Sequence, residues 1–185
     1  MNQLLEDILT LSRAQRMEQP SEWIPSADIV QEVLQRLEPT IEQTEAKIRV
    51  VDSLPSLRVD RVWATQAIYN LVSNALKFTR EGESPQVDID AYYGSGDGRE
   101  AGLVIRNRGP GIETKHIERI FKLFQRAGGR EIEGTGAGLA IVSQIAARHG
   151  GRVWVGARGG GGTEMFITFG SGRVEEGAVN GTISN

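Results

Sequence analysis

Apolar residues in this chain recur at two different spacings, and the change from one spacing to the other strongly limits the possible fold. In about residues 27–44, 60–79 and 138–149 they recur three or four positions apart, which predicts amphipathic helices. In stretches such as 85–93 they alternate with polar residues, which predicts half-buried strands. Such elements bury their apolar faces when helices cover a sheet. We therefore predict an α+β fold, a two-layer α/β sandwich with a mixed sheet of about five strands and three main helices on one face.

Turn residues separate the predicted elements. Ser26 is predicted as the N-cap of the first long helix, because the apolar repeat begins directly after this short polar residue. The glycine-rich stretches 94–98 and 159–162 are predicted as hairpin connections, and residues 114–123 as a short helix. The predicted strands are residues 23–24, 47–52, 85–93, 103–107, 152–157 and 163–169.

The chain divides into four segments. Residues 1–16 carry a helical apolar stripe with nothing nearby to bury it against, so we interpret them as the end of a longer helical element. Residues 17–25 are a linker and the first edge strand. Residues 26–169 are long enough for one domain with its own core. Residues 170–185 are small and polar, which predicts a disordered tail.

Composition excludes several classes of function. The 21 Lys and Arg residues are balanced by 24 Asp and Glu, so the basic surface of a nucleic-acid-binding protein is not expected. The absence of cysteine excludes disulfides and thiolate zinc sites and fits a reducing compartment. No apolar stretch has the length of a membrane span, and no signal peptide is recognisable. We expect a cytoplasmic chain without direct membrane contact, although a cytoplasmic piece of a membrane receptor would look the same.

The predicted helix at 60–79 has an unusual polar stripe. It carries amides, a hydroxyl and one cation in place of the usual Glu and Lys. Carboxamide oxygens suit a hard cation such as Mg²⁺, and a lysine can contact phosphate as a point charge. A buried polar seam satisfied by neighbouring backbone explains the stripe equally well. Its members are Gln66, Asn70, Ser73, Asn74 and Lys77.

Of two further glycine-rich stretches, one follows a predicted strand and the other precedes a predicted helix. "RGPGI" at 108–112 allows a sharp turn in which backbone approaches a planar ligand. In "EGTGAGLAIV" at 133–142, three glycines precede a helix whose free amides attract anions. This stretch lacks the Gly-Lys-Ser/Thr of a P-loop and the third glycine of a dinucleotide fingerprint. Taken alone, a plain turn is the favoured interpretation of each stretch.

The order of these motifs changes that interpretation. The amide helix, the Gly-Pro-Gly turn, Phe121 with Phe124, the glycine loop and a Gly-Gly-Thr resemble the N, G1, F, G2 and G3 boxes of the histidine kinase ATP-binding domain. This Bergerat fold also serves gyrase, Hsp90-type chaperones and mismatch-repair ATPases. The resemblance covers about residues 21–169 and is most specific in "NLVSNALKFT" and "GTGAGLAIV". "IFKLFQRAGGREIEGTGAGLAI" and "HGGRVWV" look like the short-lid kinases related to bacterial phytochromes, and residues 1–16 look like the closing end of the dimerisation helices.

The resemblance implies a site for ATP and Mg²⁺. By similarity, Asn74 is the metal ligand, and Asn70, Lys77 and Arg126 are the catalytic residues. Residues 121–138 would form a lid over the nucleotide, from which Arg126 would reach the terminal phosphate, and Thr163 would support the adenine end. The nucleotide-binding residues implied are Asn70, Asn74, Lys77, Asn107, Gly109, Gly111, Ile112, Phe124, Arg126, Gly134, Thr135, Gly136, Ala137, Gly138, Leu139 and Thr163.

The residue at position 70 separates two reaction types. ATP-hydrolysing relatives carry a glutamate there that activates water, whereas Asn70 cannot act as a base. The resemblance therefore implies transfer of the terminal phosphoryl group to a histidine on a dimerisation helix that this chain does not contain. The two histidines present, His116 and His149, are interpreted as structural. The implied partners are the dimerisation helices of the same kinase and the receiver domain of a response regulator.

Asn107 departs from the family pattern, which has Asp at this position to accept a hydrogen bond from the adenine amino group. A carboxamide oxygen can still accept, but the charge is lost and the amide can present its donor instead. If the pocket is only weakened by this change, Asn107→Asp should tighten nucleotide binding. The alternative function is a degenerate nucleotide site that acts as a protein-interaction module in signalling.

Overall fold

The computed structural model describes residues 2–16, 22–94, 100–122, 135–157 and 161–173. Five helices and seven strands lie in these ranges. The helices are α1 (Asn2–Ala14), α2 (Ser26–Thr44), α3 (Arg61–Lys77), α4 (Thr114–Ile117) and α5 (Gly138–Arg148). The strands are β1 (Trp23–Pro25), β2 (Lys47–Val50), β3 (Ser56–Arg58), β4 (Gln86–Tyr93), β5 (Glu100–Asn107), β6 (Val153–Ala157) and β7 (Thr163–Arg173).

Five strands form the main sheet. β2 pairs in parallel with β4, whereas β4–β5, β5–β7 and β7–β6 are antiparallel, so the sheet is mixed as predicted. The short strands β1 and β3 extend it, because β3 pairs with the end of β7 and β1 pairs with β3. The predicted hairpins are also confirmed, since Tyr93 pairs with Ala101 and Ala157 pairs with Thr163.

The core lies between one face of the sheet and the helices. Leu103 and Ile105 of β5 are fully buried, and α3 packs against β5 while α5 packs against β6 and β7. Leu71 of α3 and Ile145 of α5 belong to the same buried core. The opposite face carries polar and aromatic pairs, such as Trp154 stacked on Phe166. The expected two-layer sandwich with helices packed on one face is therefore confirmed.

Asp60 begins α3 as its N-cap. Its carboxylate accepts a hydrogen bond from the Trp63 backbone N–H at 3.1 Å. We expect Asp60→Ala to lower the free energy of unfolding by about 1 kcal/mol, because one amide of the first turn loses its acceptor. Asp60→Asn retains an acceptor oxygen and should leave stability nearly unchanged in urea denaturation. Equal losses in both variants would show that the hydrogen bond from the Trp63 N–H does not account for the stabilisation.

Ser26 does not cap α2 as predicted. The helix begins at Ser26 itself, and Pro25 occupies the N-cap position without a side-chain hydrogen bond. Ser26 is buried, and its Oγ donates to the Pro55 carbonyl at 2.6 Å, so it ties the start of α2 to the segment before β3. The strand β3 is not predicted from the sequence, because three residues are too few to show an alternating pattern.

The predicted boundary at residue 170 is wrong. β7 continues through Arg173, with Ser171 opposite Glu100 and Gly172 opposite Leu57. Gly170 makes this continuation possible through a left-handed backbone with φ +72°. The rest of the predicted disordered tail, residues 174–185, lies outside the described residues.

The expectation that residues 1–16 have nothing to pack against is also wrong. α1 packs against α5, with Ala14 fully buried and Leu11 partly buried. Another part of α1 exposes Leu5, Ile8 and Leu9 to solvent, at 60%, 41% and 46%. None of the helices in the described ranges is long and apolar enough to cross a membrane.

Candidate functional site

Asn70 joins the polar stripe of α3 to the first residue of α5. Its Nδ2 donates to the Gly138 carbonyl at 3.3 Å, and its Oδ1 accepts from Gln66 Nε2 at 3.2 Å. The amide helix and the glycine stretch, which are separated in sequence, therefore lie side by side. For Asn70, the polar-seam interpretation of the stripe is also correct in part, because backbone and a neighbouring amide satisfy its side chain.

The rest of the stripe follows from helical geometry. Asn74 lies four residues after Asn70 and Lys77 lies seven after it, so the three side chains share one side of α3. Asn74 is half-buried and Lys77 is exposed. Among the described residues, no group of three His, Cys, Asp or Glu could hold a metal ion. A cation at this site would therefore depend on carboxamide oxygens.

The start of α5 is built from the described part of the glycine stretch. Gly136 has a left-handed backbone with φ +75°, and α5 begins two residues later at Gly138. The Thr135 hydroxyl accepts the Ala137 N–H at 3.3 Å and donates to the Asp7 carboxylate of α1. Ala137 is fully buried and Leu139 packs against the core. The anchoring of these two side chains fixes the position of the first amides of α5.

Asn107 lies at the other end of α3, where β5 ends. It is only 5% exposed. Its Nδ2 donates to the Phe78 carbonyl at 2.9 Å and to the Ala75 carbonyl at 3.3 Å. Its Oδ1 accepts the Thr163 N–H at 3.0 Å. The carboxamide thus connects the last turn of α3, the end of β5 and the start of β7.

The glycines beside Asn107 are in close contact with backbone. A Cβ on Gly109 would lie 2.0 Å from the Phe78 carbonyl oxygen, and one on Gly162 would lie 2.1 Å from the Asn107 carbonyl oxygen. Gly111 has a left-handed φ of +82°, and the neighbouring Ile112 packs partly buried against the core. The predicted sharp turn after β5 is therefore present. Its first glycine is required by the protein's own backbone, independently of any ligand.

Several predicted site residues cannot be placed. Phe124, Arg126 and Gly134 lie outside the described residues, as does most of the predicted lid. Phe121 is described and packs partly buried against the core. Of the predicted helix at 114–123, the structure describes residues 114–122, and within these the helix runs from Thr114 to Ile117.

His149 has a structural role, as predicted. Its Nε2 accepts the Asp60 N–H at 3.1 Å, so the proton is on Nδ1, which donates to the Ile145 carbonyl at 2.8 Å. Burial lowers the pKa of His149, which favours this neutral form. His116 lies in the short helix α4 and is half-buried.

Two parts of the site were missed from the sequence. One is the pair of α3 carbonyls that accept from Asn107, and the other is Asp7, which reaches Thr135 from α1. The first could have been found from the sequence, because position 107 has asparagine where the family has aspartate. An asparagine side chain offers two hydrogen-bond donors and carries no charge. The second depends on how α1 folds back, which local pattern does not reveal.

Comparison with known proteins agrees with this geometry. Residues 59–172 match the family described as histidine kinase-, DNA gyrase B-, and HSP90-like ATPase. The methanogenesis regulatory histidine kinase FilI of Methanothrix harundinacea is 33% identical over 91% of this chain, and cyanobacterial phytochrome B of Nostoc is 31% identical over 91%. The full-length structure of ShkA in complex with AMPPNP covers 91% of the chain at 27% identity and a TM-score of 0.69.

These matches cover only part of each relative. The chain spans 19% of FilI, 22% of the Nostoc phytochrome and 36% of ShkA. The resemblance to phytochrome-type sensor kinases is confirmed by the Nostoc protein. By its sequence match and its fold, the chain belongs to the histidine kinase-, DNA gyrase B-, and HSP90-like ATPase family and has the character of a histidine kinase ATP-binding catalytic domain.

Proposed function

We propose that this chain binds ATP with Mg²⁺ and serves as the catalytic domain of a sensor histidine kinase. The observation that carries the proposal is the hydrogen bond between Asn70 and Gly138, which holds the carboxamide stripe of α3 against the first turn of α5. The AMPPNP complex of ShkA supports a nucleotide as the ligand. A helix start with free amides suits phosphate, and carboxamide oxygens suit a hydrated Mg²⁺.

The residues present fit this ligand. Asn74 would hold the metal, Lys77 would contact phosphate, and the amides from Gly136 to Gly138 would lie along the phosphate chain. When bound, Mg-ATP supplies the phosphoryl group and the metal offsets the charge that develops during its transfer. The predicted contacts of Phe124, Arg126 and Gly134 remain part of the proposal.

Asn70 favours transfer over hydrolysis. A carboxamide has no basic group that could take a proton from water. Its oxygen already accepts from Gln66 and its nitrogen already donates to Gly138, so the side chain is held as a bridge between two helices. We therefore expect no steady release of phosphate from ATP by the isolated chain.

The acceptor must come from outside the chain. Neither histidine of this chain is a suitable acceptor: both ring nitrogens of His149 are engaged in hydrogen bonds and the residue is 6% exposed, and His116 is half-buried in the short helix α4. We infer that the acceptor histidine lies on a dimerisation helix of the same kinase, that the phosphoryl group passes to a response-regulator receiver domain, and that the protein works in the cytoplasm. The name of FilI as a regulatory histidine kinase supports the phosphoryl-transfer roles.

Titration with a fluorescent ATP analogue, with and without Mg²⁺, tests the proposal. We expect saturation at micromolar nucleotide that depends on magnesium. Asn74→Ala should weaken binding in Mg²⁺ by about tenfold or more, because the cation loses its protein ligand. Gln35→Ala, which removes an exposed carboxamide from α2, is the matched control and should bind normally.

Two results would count against the proposal. Absence of saturation at millimolar nucleotide would favour the interaction-module alternative. Equal affinity of Asn74→Ala and the unchanged chain in Mg²⁺ would remove Asn74 from the metal site.

A further inference from the structure

The orientation of the Asn107 carboxamide is fixed by its three hydrogen bonds. Nδ2 faces the carbonyls of Ala75 and Phe78, and Oδ1 faces the N–H of Thr163. Turning the amide over would place an oxygen against two carbonyls and a donor against another donor. Asn107 therefore acts on α3 as a donor of two hydrogen bonds.

We propose that Asn107 is a positioning residue that fastens the C-terminal turn of α3 to the ends of β5 and β7, and so holds Asn74 and Lys77 in place on the phosphate side. The proposal rests on the proposed function. Ala75 directly follows Asn74, and Phe78 directly follows Lys77. The two carbonyls bound by Asn107 thus belong to the same turn as the two side chains that would contact metal and phosphate.

The backbone is closely packed around this turn. Gly109 lies against the Phe78 carbonyl and Gly162 lies against the Asn107 carbonyl, each too close to accept a Cβ. The end of α3 is therefore in direct contact with the turn after β5, and we expect a change in the donors of Asn107 to act on the end of α3.

Aspartate cannot replace Asn107 in this role at neutral pH. A carboxylate has no hydrogen to donate, and its charge would face the two α3 carbonyls in a site that is 5% exposed. The substitution that would match the family pattern should thus weaken the site. This reverses the expectation from sequence, in which Asn107→Asp tightens a weakened pocket.

The magnesium enhancement of ATP binding, which is the Kd in EDTA divided by the Kd in Mg²⁺, separates positioning from base recognition. We expect Asn107→Asp to weaken binding in Mg²⁺ by about tenfold and to lower the enhancement, because Asn74 and Lys77 are displaced. Asn107→Ser, which keeps one donor and adds no charge, should show a smaller loss. Gln35→Glu introduces the same charge at an exposed position and should change neither quantity.

Unfolding of Asn107→Asp at different pH provides the second measurement, and it needs no nucleotide. Protonation gives the carboxyl group introduced by this substitution one donor, and burial among carbonyls favours the protonated form. The folded-state pKa of that carboxyl is therefore raised, and the stability of the variant relative to the unchanged chain should fall as pH rises from about 4 toward neutrality. His149 is present in both proteins, so its contribution cancels in the difference between their free energies of unfolding.

Different results of these two measurements would overturn different parts of the proposal. Tighter ATP binding by Asn107→Asp, or equal losses with and without Mg²⁺, would overturn the positioning role. If the unchanged chain binds no nucleotide, the proposed function fails, and the pH dependence of the variant still decides whether Asn107 fastens α3. A stability difference that is constant with pH would overturn the fastening itself.

Discussion

Gly109→Ala is expected to lower the free energy of unfolding by about 2–4 kcal/mol, which is a large effect for adding one methyl group. The new Cβ would lie 2.0 Å from the Phe78 carbonyl oxygen, a backbone atom that cannot rotate away. Either the turn after β5 or the end of α3 must move, and the hydrogen bonds of Asn107 join the two. Urea denaturation followed by circular dichroism measures the loss.

Gly138→Ala is the matched control for this change. Among the described residues, a Cβ at that position meets Asn70 alone, at 3.9 Å, which is ordinary contact. The residue begins α5, where alanine is the better helix former. We expect stability to be equal or slightly higher. Similar losses in both variants would contradict the steric argument for Gly109.

Protonation of His149 is expected to produce the second large loss in the free energy of unfolding. Nε2 accepts the Asp60 N–H, so a proton there would replace an acceptor with a donor. The ring faces the Ile145 carbonyl, the Asp60 carboxylate and the edge of Phe169, and burial is the main cause of its lowered pKa. Because the unfolded chain binds the proton more tightly, stability should fall as pH decreases below about 6.5 and stop falling below the folded-state pKa.

Variants separate this contribution from other titrating groups. His149→Leu should cost about 2–4 kcal/mol at pH 8, because two hydrogen bonds are lost and the Asp60 N–H is left without its acceptor. The same variant should lack the fall in stability that His149 causes in the unchanged chain below about pH 6.5. His116→Gln in α4 is the control and should keep it. An unchanged pH profile in His149→Leu would show that another group is responsible.

Sequence pattern predicted the parts of the fold that depend on local spacing. The apolar repeat gave α3 within two residues of its ends, and alternation gave β4. The site was also foreseen in part, since the amide stripe with Asn70 and the glycine stretch with Gly138 do lie together. That juxtaposition came from the resemblance to a known family, because no local rule brings positions 70 and 138 into contact.

The remaining features depend on pairings between distant segments. Ser26 looked like a cap, but its hydroxyl donates a hydrogen bond to the Pro55 carbonyl, 29 residues away. Asn107 looked like a weakened base contact, but its partners lie 29 to 56 residues away. Such pairings are set by the packed fold, and the type of the individual residue does not reveal them.

Thr135 places one hydroxyl between two helices. Its oxygen accepts a hydrogen bond from the Ala137 N–H just before α5, and its O–H donates a hydrogen bond to the Asp7 carboxylate on α1. A twist or slide of α1 that carries Asp7 away must therefore either break this link or pull on the loop that leads into α5. Mechanical strain arriving along the first helix would reach the glycine stretch through this side chain and through the packing of α1 against α5, without passing through the sheet.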